Sequence, residues 1–194
     1  MKRLLTIIAA VGLATSACGG SNDNVVGSSG AVHNQADIEF VQGMIPHHEQ
    51  AVTMSELAAS RAASPDVKAL AARIQAAQAP EITQMKRYLK DWGVKEESGG
   101  MGGMGGMSGM GGAGVGGHPG MLGDDELGRL KAAKGQEFDR MFLQSMIGHH
   151  RGAITAAEAE QAQGQAPNAK TLAGEIIKAQ RAEIAEMEKL LTSV

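Results

Sequence analysis

The stretch "MIPHHEQAVTM", residues 44–54, returns 102 residues later as "MIGHHRGAITA", residues 146–156. The same offset holds without a gap between 37–92 and 139–194, where 21 of 56 positions are identical. They include Asp37/Asp139, Phe40/Phe142, Met44/Met146, both histidine pairs (His47–His48 and His149–His150), Pro65/Pro167, Gln78/Gln180, Glu81/Glu183 and Met85/Met187. An ungapped match of that extent marks two copies of one structural unit.

Each copy reads as a helical hairpin. Positions 37, 40, 44, 47, 51 and 54 follow the i, i+3, i+4, i+7 spacing of one helix face. "SP" at 64–65 and "AP" at 166–167 place a proline in the first turn of a second helix. Ser64 is a good cap and Asp66 a favourable early acid, whereas Ala166 is a poorer cap. The second helix keeps Leu70, Ile74, Gln78, Glu81, Met85 and Leu89 on one face, and Gly93 is a natural stop. Two such hairpins bury their stripes as an all-α four-helix bundle. Pro46 and Pro80 fall nearly opposite each other, and the apolar face running back through Phe40 predicts a kink at Pro46 rather than a helix start.

The flanks read differently. Residues 1–17 have Lys2 and Arg3, a short apolar run and then small residues, the pattern of an export signal and too short for a membrane span. "TSAC" then resembles a lipobox, so Cys18 is the candidate lipidation site and 18–34 a flexible tether. That predicts an exported lipoprotein anchored to the membrane, facing the periplasm or cell surface. Residues 93–123, rich in glycine and methionine, read as a disordered linker outside any packed core. "DDELGRLKAAKG" predicts a short helix capped by Asp124 or Asp125, broken from the next by Gly135. Residues 35–194 thus form one bundle domain, from hairpin 35–92 and the short helix plus hairpin of 124–194.

Composition agrees. Hydrophobic residues make up 43% but aromatics 3%, which suits close-packed helices with small side chains better than sheets. A net charge of −3, with no basic run beyond the N-terminus, argues against nucleic acid.

At about 100° per residue, Asp37, Phe40, Met44, His47, His48, Ala51 and Met54 fall within an arc of roughly 120°. The histidines therefore face inward, and their nitrogens need partners. If the chain reverses near residue 63, Gln78 and Glu81 come level with His47 and His48, and Met85 lies near Met44. The same construction sets Gln180 and Glu183 beside His149 and His150, with Met187 near Met146. One His/Met/Glu cluster is expected in each half.

Imidazole suits several metals, but thioether sulfur selects soft Cu(I), and Ag(I) by the same argument. Cys18 is the sole cysteine, so the domain has no thiolate ligand. The candidate ligands are Met44, His47, His48 and Met54, and Met146, His149 and His150; Ala156 stands where Met54 has its counterpart. Glu81 and Glu183 would orient the histidines. Met85, Met187, Asp37 and Asp139 are auxiliary candidates, and the two aspartates could equally cap helices. In the linker Met101, Met104, Met107 and Met110 recur every third residue, followed by His118 and Met121. They offer further thioethers, or are a plain spacer.

The leading expectation is a protein that sequesters Cu(I) or hands it to a copper-handling partner. Two rivals stand beside it: a ferritin-like metalloenzyme using iron or copper, and an envelope interaction module with structural histidines. Against the first, the Glu-x-x-His motif of di-iron bundles is missing, since Gln84 follows Glu81 and Glu186 follows Glu183 at that spacing.

The two histidine stretches, with "EFDRMFLQSMIGHH", "QAPEITQM" and "QRAEIAEM", resemble the bacterial family catalogued as domain of unknown function 305, over about residues 35–92 and 124–194. The resemblance implies a ferritin-like four-helix bundle, usually exported, linked in some members to copper or silver binding and tolerance. By position it favours Met44, His47, His48, Met54, Met146, His149 and His150. Ala156 departs from the family's trailing methionine and implies a weaker second site.

Overall fold

The computed structural model describes residues 25–26, 32–96 and 119–194. Residues 1–17, expected to be an export signal, and Cys18, Met101, Met104, Met107, Met110 and His118 lie outside the described residues. The helices are α1 (Gln35–Arg61), α2 (Pro65–Trp92), α3 (Asp124–Ala132), α4 (Gly135–Gln163) and α5 (Pro167–Leu190).

Helix ends follow local chemistry. Asn34 caps α1, its side chain accepting from the Asp37 N–H while the Asp37 carboxylate accepts from the Asn34 N–H. Ser64 caps α2 by accepting from Val67 N–H, with Pro65 in the first turn. Gly93 stops α2 in the left-handed conformation, φ 73°. Ala166 gives α5 no side-chain cap. The helix does not begin at Pro46: α1 runs through it, and α2 runs through Pro80. Each proline removes one backbone donor beside the histidine region.

α1 packs on α2, α4 on α5, and α1 against α4 across the centre. The four long helices form the bundle expected from the repeat. Two apolar cores result. One joins the later part of α1 (Ala51, Met54, Ala58) to the early part of α4 (Phe138, Phe142, Met146). The other joins the early part of α1 (Phe40, Met44) to the later part of α4 (Ala153, Ala157). α1 and α4 are therefore antiparallel, and the four histidines fall between the two cores.

The two aspartates lock this arrangement. Asp37, fully buried, accepts from Gln165 N–H and Ala166 N–H in the turn of the second hairpin, at 2.9–3.1 Å. Asp139 accepts from Ala63 N–H and Ser64 N–H in the turn of the first, at 3.1 and 2.9 Å. Each half thus holds the other's turn. The carboxylate that the poor cap Ala166 lacks comes from across the bundle.

Three expectations need correction. α3 is not capped by Asp124 or Asp125: its cap is Gly123, and the two aspartates occupy its first turn beside Glu126. The 18–34 segment is not free throughout, because Val25–Val26 pairs antiparallel with Val32–His33, and buried His33 stacks on Trp92 at 4.9 Å between ring centroids. Nor does the 93–123 segment stay outside the packed structure to its end, since Leu122 joins the core and bonds to Gln50, and the Pro119 carbonyl lies against His47. Among the described residues no helix is long and apolar enough to cross a membrane.

Candidate metal centre

The sequence placed His47 and His48 on one inward arc, and both are buried, as are His149 and His150. Adjacent residues on a helix diverge by about 100°, so each pair points two ways. His48 and His150 turn towards their own hairpins. The His48 Nε2 lies 2.8 Å from a Glu81 carboxylate oxygen, and the His150 Nε2 lies 2.6 Å from Glu183. The register that set these glutamates beside the histidine pairs is the register found.

His47 and His149 turn towards each other. Their ring centroids are 3.7 Å apart, with the planes tilted by 41°. His47 and His149 thus bring the histidine pairs of the two halves together between α1 and α4. Hairpin register, which relates α1 only to α2, carries no information about this crossing. The mirrored spacings of His47–His48 and His149–His150, 6.5 and 6.4 Å, are the signature of the repeat.

A carboxylate only accepts, so each glutamate contact places a proton on Nε2 and leaves the lone pair of a neutral ring on Nδ1. Among the described residues the Nδ1 atoms of His48 and His150, and both ring nitrogens of His149, are buried without a hydrogen-bond partner. Burial, then the neighbouring His47, His150 and His48, holds the His149 ring well below the usual imidazole range. It stays neutral at pH 7, and neutral imidazole is the form that ligates a metal.

The methionines divide otherwise than expected. Met44 shares a core with Met85, and Met146 with Met187, as the register requires. Met54, assigned by sequence to the Met44 side, packs instead in the core of Met146 and Met187. Because α1 and α4 are antiparallel, seven residues beyond His47 the chain has passed to the other half's side. Ala156 accordingly borders the Met44 side, where a cavity of about 30 Å³ is lined by Met44, His47, Pro119, Gly152 and Ala156. Met44, Met54, Met85, Met146 and Met187 are all buried, while Met141 on α4 is half-buried.

The structure does not bring Asp37 and Asp139 into this set, because their oxygens are taken by the hairpin turns. Met121 is half-buried at the end of the linker. Gln78 and Gln180, one helical turn before the glutamates, are buried with amide oxygens lacking a partner among the described residues. The sequence set them level with the histidines but gave them no role. Pro119 was missed entirely: its carbonyl oxygen lies 3.2 Å from the His47 Nε2, and a glycine-rich context gave no signal of it. Among the described residues no three His, Cys, Asp or Glu side chains form a ready cage by themselves. The donors that fit an ion here are imidazole nitrogens with thioether sulfurs nearby, a soft set.

A family model described as a domain of unknown function (DUF305) matches residues 37–191. Among solved structures, a DUF305 protein from Streptomyces coelicolor superposes with a TM-score of 0.70 at 30% identity, covering 81% of this chain and 93% of that one. A DUF305 fragment from Deinococcus radiodurans gives 0.68 at 28% identity, covering 83% and 98%. CopM in its Cu(II)-bound form gives 0.66 at 32% identity, covering 81% and 96%, and its Cu(I)-bound form gives 0.64 at 29%. CopM has also been solved bound to silver. A curated relative, uncharacterized protein L153 of Acanthamoeba polyphaga mimivirus, is 39% identical over 64 residues, 31% of this chain and 42% of that protein. The chain thus spans less than half the length of that relative.

Proposed function

The chain belongs to the DUF305 family, and on that premise we propose that it binds Cu(I), and Ag(I) by the same chemistry, to sequester or transfer it. The observation that carries this reading is the meeting of His47 and His149 across the bundle, flanked by His48 and His150, each held by a glutamate. Buried ring nitrogens of His48, His149 and His150 that have no hydrogen-bond partner among the described residues, beside Met44, Met54 and Met146, favour a soft ion over a hard one. Similarity to CopM, solved with copper and with silver, supports the same choice.

In this reading the ion is cargo. Glu81 and Glu183 set ring orientation and raise ligand basicity, Met44 and Met146 supply sulfur, and Met85 and Met187 back them. Linker residues Met101, Met104, Met107, Met110, His118 and Met121 would supply further thioethers and an imidazole for loading. Residues 1–17 would direct export and Cys18 would carry the lipid. The test is metal analysis of anaerobically purified protein, followed by titration against a Cu(I) chelator. Retained Cu(I), held against the chelator and lost in Met44→Leu/Met146→Leu while Zn(II) binding persists, is expected. Equal loss of both metals, or retained iron, would defeat the reading.

A further inference from the structure

The segment 119–122 crosses the histidine centre as a strap, and two residues that differ between the repeats hold it there. Gln50 exchanges two hydrogen bonds with the backbone of Leu122: Leu122 N–H donates to the Gln50 Oε1 at 2.8 Å, and the Gln50 Nε2 donates to the Leu122 carbonyl at 3.0 Å. At the position equivalent to Gln50 the second copy has Gly152, and the strap presses on it directly. A Cβ on Gly152 would stand 1.8 Å from the Pro119 carbonyl oxygen and 2.9 Å from the Gly120 Cα. Both are backbone atoms, so they cannot swing aside as a side chain would. Gly120 is itself at φ 88°, and a Cβ there would meet the carbonyl oxygens of Gly148 and His149 at 2.7 and 2.9 Å. The strap is thus built to one fit, clipped to α1 by an amide and to α4 by two glycines.

Its product is the contact of the Pro119 carbonyl with His47 at 3.2 Å. A carbonyl oxygen accepts and never donates, so the proton lies on the His47 Nε2. For His48 and His150 a glutamate sets the same tautomer. We propose that Gln50 and Gly152 are positioning residues of the metal centre, seating the Pro119 carbonyl on His47 so that this ring, like His48 and His150, turns its Nδ1 lone pair to the ion. The ion's identity rests on the function proposed above, while the state of the ring does not.

The experiment records long-range proton–nitrogen NMR correlations of the histidine rings in the full chain, alongside titration against a Cu(I) chelator. Wild type should show His47 protonated at Nε2 and unprotonated at Nδ1. Gly152→Ala and Gln50→Ala should each abolish that fixed pattern and weaken Cu(I) binding by about tenfold, the lower end for an outer partner of a ligand. Gln50→Glu, which keeps the acceptor for Leu122 N–H and loses the donor, should fall between. Helical circular dichroism checks folding, and Gln50→Ala carries the test where Gly152→Ala unfolds. A wild-type His47 protonated at Nδ1 overturns the proposal, as does an unaltered His47 pattern or an unaltered Cu(I) affinity in the folded variants. Wild type that binds no Cu(I) but shows the His47 pattern and its loss in the variants defeats the copper reading and leaves the ring assignment standing.

Discussion

The first hairpin carries an ion pair between Glu49 and Lys86 at 2.9 Å, and the second carries one between Arg151 and Glu188 at 3.0 Å. These are the same two positions at the 102-residue offset, with the signs exchanged. Inside, by contrast, Asp37, Met44, His47, His48, Gln78, Glu81 and Met85 match their counterparts residue for residue. An exposed pair is worth about 0–1 kcal/mol and needs only opposite charge. A buried carboxylate or imidazole must satisfy one geometry, and no exchange preserves it. The interior differences between the halves are therefore the informative ones: Gln50 against Gly152, Met54 against Ala156, Ala58 against Glu160.

The largest effect belongs to the central pair. His149→Ala should remove Cu(I) binding from the whole protein, because His149 meets His47 rather than serving one half. Chelator competition with a check of stoichiometry reads this directly, and a variant that keeps half its copper would restore two independent sites. Next is the methionine asymmetry. Met54→Ala deletes a fully buried side chain and should cost about 2–5 kcal/mol in urea unfolding. Ala156→Met, set beside a cavity, should cost less and bring a thioether towards Met44 and His47. If the two costs are equal, the halves do not differ in packing as described.

Glu81→Gln and Glu183→Gln should each lower Cu(I) affinity by about 10- to 100-fold, and by similar factors, since the two contacts are alike. A large inequality would show that the centre is lopsided despite its geometry. The smallest effect is at Glu160, which has Ala58 as its counterpart. Burial, and after it the hydrogen bond and charge of Asp37, push the Glu160 carboxyl up to about 8, and Lys170 offsets this only in part. The folded state then holds a proton that the unfolded state has released, so wild-type stability should fall as pH rises from about 4.5 to 8. Glu160→Gln should flatten that slope in melting experiments at pH 5 and pH 8, and an unchanged slope would remove Glu160 as its source.

Much of this was legible from residue spacing. The 102-residue offset, the prolines at 65 and 167 and the glycine at 93 set the hairpins, and counting back from the turn set Glu81 beside His48. What spacing could not reach lies between hairpins. A periodic stripe says that His47 and Met54 face inward, not which neighbour they face, and antiparallel packing sent Met54 to the far core. The clasp of Asp37 on Gln165 spans 128 residues, with nothing local to announce it. Pro119 escaped because its role uses a backbone carbonyl, which every residue has.

The reciprocal aspartate clasp has a consequence of its own. Asp37 holding the second turn while Asp139 holds the first is how an isologous interface looks, in which each contact occurs twice. The bundle is in that sense a homodimer written into one chain, with its rotation axis passing between His47 and His149. In a true homodimer one substitution would strike both sides of the axis together. Here each side can change alone, and Gly152, Ala156 and Pro119 have made one flank of the axis unlike the other without disturbing the pairs that meet on it.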